Sequence, residues 1–125
     1  MQPLKAAYES CTPITDKGGE IRVLVSPRTV GSTQLILGVA TLGIGDRVKK
    51  HAHDYGEETF FVMQGQGRIH IEGHDSVEFA VGDAVLVPRG RVHSIENTGD
   101  VEMRVVFASA PLAPSPAIGH RNIEI

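Results

Sequence analysis

Two histidines, His51 and His53, stand two residues apart, and the carboxylate Glu58 follows after the stretch Asp54-Tyr55-Gly56-Glu57. On a strand, residues i and i+2 share a face, so the two imidazoles point the same way. The intervening stretch reads as a turn, which returns Glu58 on a neighbouring strand toward the same point. A third histidine, His93, lies just past the tight turn Pro88-Arg89-Gly90. Proline presets φ for turn entry, and glycine accepts the positive φ that other residues resist. Imidazole nitrogens with a carboxylate oxygen suit one borderline divalent ion such as Zn, Fe, Mn, Ni or Co. An ion held this way, with positions left open, can polarise a carbonyl, activate water or, if redox-active, engage O₂.

Short strands must position these side chains. Fourteen glycines and seven prolines punctuate the chain. Between them lie apolar runs at 21–25, 34–42, 59–64, 68–72, 84–88 and 101–108. Runs of this length closed by turn residues read as strands. In 68–72, Ile69 and Ile71 share one face and Arg68, His70 and Glu72 the other; Val101, Met103, Val105 and Phe107 likewise fall together. No long window carries a 3.6-residue apolar period, so the expected class is all-β, a sandwich or barrel. The chain is read as one domain, with an N-terminal arm (1–20), a barrel (21–108) and a Pro-rich tail (109–125). Pro111, Pro114 and Pro116 argue against any regular element in that tail, whose apolar Ile118, Ile123 and Ile125 are expected to lie along the body.

The two ligand-bearing segments resemble the paired signatures of the cupin superfamily. Gly45, His51, His53, Glu58 and Gly65 fall at the spacing of the first; Gly82, Pro88, Gly90, His93 and Asn97 fall at that of the second. Glu57 competes with Glu58, but only Glu58 keeps the required distance to Gly65. Strand parity agrees, placing Glu58, Phe60, Val62 and Gln64 on one interior face. The resemblance implies a conical β-barrel, the jelly roll or double-stranded β-helix, holding one divalent metal through His51, His53, Glu58 and His93. The segments at 24–48 and 111–120 are similar to those of small cupins from bacterial aromatic polyketide pathways, of the tetracenomycin and curamycin type. That likeness implies a metal-dependent cyclase acting on an enolisable carbonyl compound by aldol closure. Two other readings stay open: an Fe(II)-dependent dioxygenase, and a non-enzymatic metal- or small-molecule-binding cupin. Asp54 departs from the proline expected after His53.

Other residues take smaller roles. Lys49 shares its parity with the two histidines and is a candidate for binding an anionic substrate, and Tyr55, in the ligand loop, is a candidate proton donor or acceptor. Phe60, Val62, Gln64, Val85, Met103, Val105 and Phe107 are expected to line the pocket, which favours a hydrophobic or aromatic small-molecule substrate. His70, His74 and His120 are read as solvated or singly hydrogen-bonded, and Cys11, outside any cluster, as an ordinary residue. A net charge of −3 and no basic stripe argue against nucleic acid. No apolar run is long enough to span a membrane, and the first residues lack the apolar core of a signal peptide, so a cytoplasmic location is expected. A homodimer is expected, because the resemblance implies pairing through outer sheet faces and small barrels have edges to cover.

Overall fold

The computed structural model describes residues 3–124. Its strands are β1 (Glu20–Val25), β2 (Ile36–Leu42), β3 (Arg47–Ala52), β4 (Glu57–Gln64), β5 (Gln66–Ile71), β6 (Val77–Ala80), β7 (Ala84–Val87), β8 (His93–Asn97), β9 (Met103–Ala110) and β10 (Arg121–Asn122). They form two antiparallel sheets, in the orders β1-β2-β9-β4-β7 and β10-β3-β8-β5-β6. Among the described residues the only helical turns are two 3₁₀ turns, Tyr8–Ser10 and Pro116–Ile118, and no helix is long and apolar enough to cross a membrane.

Alternation decides which side chains enter the space between the sheets. Phe60 and Val62 from β4 meet Met103 and Val105 from β9 with Val87 of β7 on the same sheet, and Ile69 and Ile71 from β5 face them with Phe79 and Ile95. Phe60 and Phe79 pack edge to face with centroids 5.1 Å apart, the arrangement that aromatic quadrupoles favour. The alternation read in Ile69 and Ile71 is the one observed. Val101 is a correction: it lies exposed before β9 begins. Gln64 is another. A register irregularity in the β4–β9 pairing falls between Val62 and Gln64, so Gln64 is turned outward and donates to the Glu102 carbonyl. β6 had no clear signal, because only Phe79 of its four residues is buried.

Both terminal segments of the described residues are docked on the sheets. Ile14 bridges Ile21, Arg22 stacks over the Tyr8 ring, and the Lys49 N–H donates to the Lys17 carbonyl at 2.9 Å. The tail corrects the expectation of no regular element there. After β9, which continues through Ala110, Pro116 opens a 3₁₀ turn where its missing N–H is not needed. The chain then pairs as β10 with β3, with Arg121 opposite Ala52 and Asn122 opposite His51. Backbone bonding rather than apolar burial holds it, since Ile118 and Ile123 remain exposed while the Ile123 N–H donates to the Lys50 carbonyl. Ile125 lies outside the described residues.

Candidate metal centre

β3 carries the centre, with β8 on one side and β10 on the other. His51 pairs directly with His93 of β8, which brings their ring centroids to 4.1 Å. His53 follows just beyond β3, its ring 5.0 Å from His51 and 5.5 Å from His93. Glu58 arrives from the opposite sheet. It is 9% exposed, with Oε2 3.1 Å from His53 Nε2, whereas Glu57 points to solvent.

Backbone carbonyls orient each of these rings. His51 Nδ1 bonds the Lys49 carbonyl at 2.6 Å, His53 Nδ1 the Gly119 carbonyl at 2.9 Å, and His93 Nδ1 the Arg91 carbonyl at 2.9 Å. A carbonyl only accepts, so Nδ1 carries the proton and Nε2 keeps its lone pair in each neutral imidazole. The turn beyond β7 supports this framework: Gly90, at φ +78°, donates its N–H to the His53 carbonyl at 2.8 Å. Asn97 closes the far end of β8, accepting from the Gly99 N–H and donating to the Leu42, Gly43 and Val101 carbonyls.

The electrostatics follow from crowding four titratable groups out of water. Burial, and then the neighbouring His93, push the His51 imidazole down to about 3, and burial likewise lowers His93. Burial opposes charge on both His53 and Glu58, but their contact outweighs it, raising His53 and lowering Glu58. The Nε2 atoms of His53 and His93 are nevertheless buried without a well-directed hydrogen bond. Buried polar atoms are seldom left so. His53, Glu58 and His93 offer ligand atoms within 4.8 Å of one another, as do His51, His53 and His120. Inward lone pairs, a carboxylate and fixed tautomers make a donor set that fits a divalent ion.

A family profile described as the cupin domain matches residues 38–109. The chain belongs to the cupin family. This cupin is 37% identical to the tetracenomycin polyketide synthase protein TcmJ of Streptomyces glaucescens, over 96% of the chain and 80% of TcmJ. It is 33% identical to the polyketide synthase CurC of Streptomyces cyaneus, over 99% of the chain and 80% of CurC. The polyketide cyclase RemF of Streptomyces resistomycificus superposes with a TM-score of 0.74 at 16% identity, covering 100% of this cupin and 87% of RemF.

The remaining candidates are placed differently from one another. Lys49 borders a cleft of about 190 Å³ beside the histidines, together with Asp16, Lys17, His120, Asn122 and Glu124. Tyr55 is 40% exposed in the ligand loop. Phe60, Val62, Met103 and Val105 are at most 2% exposed, and Val85 and Phe107 pack against them. These six fill the space between the sheets rather than line an open pocket, and the opening at the histidines is polar. His120 was missed. Its ring lies parallel to that of His51, centroids 4.6 Å apart, and burial, followed by Lys17 and His53, pushes it down to about 4. A lone histidine in a proline-rich stretch gave no local signal. His70, by contrast, is exposed and bonded to Glu96 and Ser76.

Proposed function

We propose that this cupin is a metal-dependent enzyme acting on an enolisable carbonyl compound, in the manner of an aromatic polyketide cyclase. The observation that carries the reading is the buried Nε2 of His93, without a hydrogen-bond partner, beside the close contact of His53 Nε2 with Glu58. His51, His53, Glu58 and His93 would hold one divalent ion. When bound, such an ion supplies Lewis acidity toward a carbonyl oxygen. The names of TcmJ and CurC support the assignment to polyketide chemistry.

The chain's own residues have distinct tasks in this reading. Lys49 holds His51 through its backbone carbonyl and turns toward the cleft, where Lys17 joins it. Two ammonium groups at the entrance orient a substrate through its anionic or carbonyl-rich end. Tyr55, on the loop between His53 and Glu58, would give a proton to a substrate at the rim or take one from it. The apolar core walls the site from the rest of the barrel and excludes water from the inner face of the ligands. The hydrophobic or aromatic part of the substrate then lies outside the barrel, against the rim, rather than within it.

Phe61 and Met63 on β4 and Leu86 on the neighbouring β7, set opposite Thr59, are exposed apolar side chains of this sheet, which supports the expected homodimer.

The test is cyclisation of a synthetic poly-β-ketone by protein stripped of metal and then reloaded with zinc under nitrogen. Zinc is expected to restore turnover, and His93→Ala to abolish it with the barrel still folded. Turnover that survives both chelation and His93→Ala, or that requires O₂, overturns the reading.

A further inference from the structure

We infer that His120, carried in by the tail, is an additional protein donor to the same metal, so that β10 is part of the centre and not a covering segment. The inference rests on the proposed metal site. Its support is a second set of ligand atoms, from His51, His53 and His120, that shares His53 with the set of His53, Glu58 and His93.

Strand register explains why the tail can do this. Arg121 lies opposite Ala52 and Asn122 opposite His51. Carrying the register back one residue sets His120 against His53. Opposed residues of an antiparallel pair project from the same face, and so do residues two apart on one strand. His51, His53, His120 and Asn122 therefore share one face, the face that His93 joins from β8. The result is the ring array already described, with His120 parallel to His51 and 5.3 Å from His53, edge to face.

The chemistry of the ring matches that of the other three. Asn122 Oδ1 lies 2.8 Å from His120 Nε2. An amide oxygen only accepts, so the ring donates from Nε2 and keeps its lone pair on Nδ1. Each of the four histidines thus has one nitrogen tied to an amide oxygen and a second nitrogen left for another partner, which for His53 is Glu58, the arrangement that orients metal-ligating imidazoles. The residue before it contributes too, since the Gly119 carbonyl is the acceptor for His53 Nδ1. Two successive tail residues therefore act on the centre, one orienting a ligand and the next presenting its own ring. A surface histidine stacked by chance on His51 has no reason to be held in this way.

Cobalt(II) is the probe, because its visible ligand-field bands report the number and type of donors. Wild-type protein and His120→Ala would be titrated with Co(II), with circular dichroism establishing that the variant is folded. The expected result is weaker binding by the variant, on the order of tenfold, with a changed visible spectrum. Equal affinity together with an unchanged spectrum overturns the inference, while leaving the His51, His53, Glu58 and His93 site standing. No binding by the wild type overturns the metal site itself and this inference with it. A zinc titration of the wild-type protein, followed through histidine ring nitrogens by NMR, needs no substitution. A His120 Nδ1 signal that moves as far as those of His51 and His93 Nε2 supports the inference, and one that stays still overturns it.

Discussion

Arg121 grips Asp54 through two parallel hydrogen bonds, from Nε to Oδ2 at 2.9 Å and from Nη2 to Oδ1 at 3.0 Å. This pairing accounts for the departure at Asp54, where a proline would have offered the tail nothing to hold. The link joins the loop between His53 and Glu58 to the strand that follows His120. Both side chains are solvent-exposed, so the contact acts on the tail rather than on global stability. Asp54→Ala should speed exchange of the Ile123 amide by about two- to fivefold and leave the Val62 and Val105 amides unchanged. Hydrogen exchange followed by NMR measures both. Equal acceleration throughout the barrel would show that the pair supports the whole fold.

His93 is 1% exposed with Nε2 unpaired, so the metal-free protein carries an uncompensated polar atom at its centre. Such an atom costs roughly 1–3 kcal/mol. His93→Leu should therefore leave the metal-free protein as stable as wild type, or more so. Zinc at a hundred times its dissociation constant should stabilise wild type by about 2.7 kcal/mol and the variant not at all. Urea unfolding with and without zinc separates the two effects. Equal zinc stabilisation of both proteins would remove His93 from the site.

Glu124 ties the end of the tail to β3 by accepting from Arg47 and from the Lys50 N–H. Arg47 first, and then Lys50, hold its carboxyl down at about 2, against an ordinary value of 4.5. A carboxylate lowered on folding stabilises the docked tail above its ordinary value. That contribution is lost as pH falls from about 4.5 toward 2. The Lys50 amide shift should follow the same titration, and Arg47→Ala should move the midpoint upward. A midpoint near 4.5 in the wild type would mean that the tail is not anchored there.

The exposed side chains of Phe61, Met63 and Leu86 predict self-association. Sedimentation at micromolar concentration should give a dimer, and Phe61→Asp a monomer with an unchanged far-ultraviolet spectrum. A monomeric wild type would leave these side chains without their expected partner.

The inner half of the centre was readable in the sequence because its geometry is local. His51 and His53 share a face by strand parity alone; Glu58 is brought near them not by a hairpin onto a neighbouring strand, as parity and the turn suggested, but by a loop that crosses to the opposite sheet. His120 was not readable, since its position depends on the register of a two-residue strand with a segment about seventy residues earlier. Gln64 was lost to a register irregularity, which parity cannot foresee. The inward face of β4 and β9 was legible through Phe60, Val62, Met103 and Val105. Parity says which way these side chains point, but only packing against Ile69, Phe79 and Ile95 decides whether the space is filled or open.

Only two residue pairs join β10 to β3. An edge element this small opens at a far lower free energy than the barrel beneath it. The wall that holds Gly119 and His120 is thus tied by fewer ladder pairs than the wall that holds His93. An ion held by the proposed site would then load and leave on the clock of the tail, and its residence time would be adjustable without disturbing a single core contact.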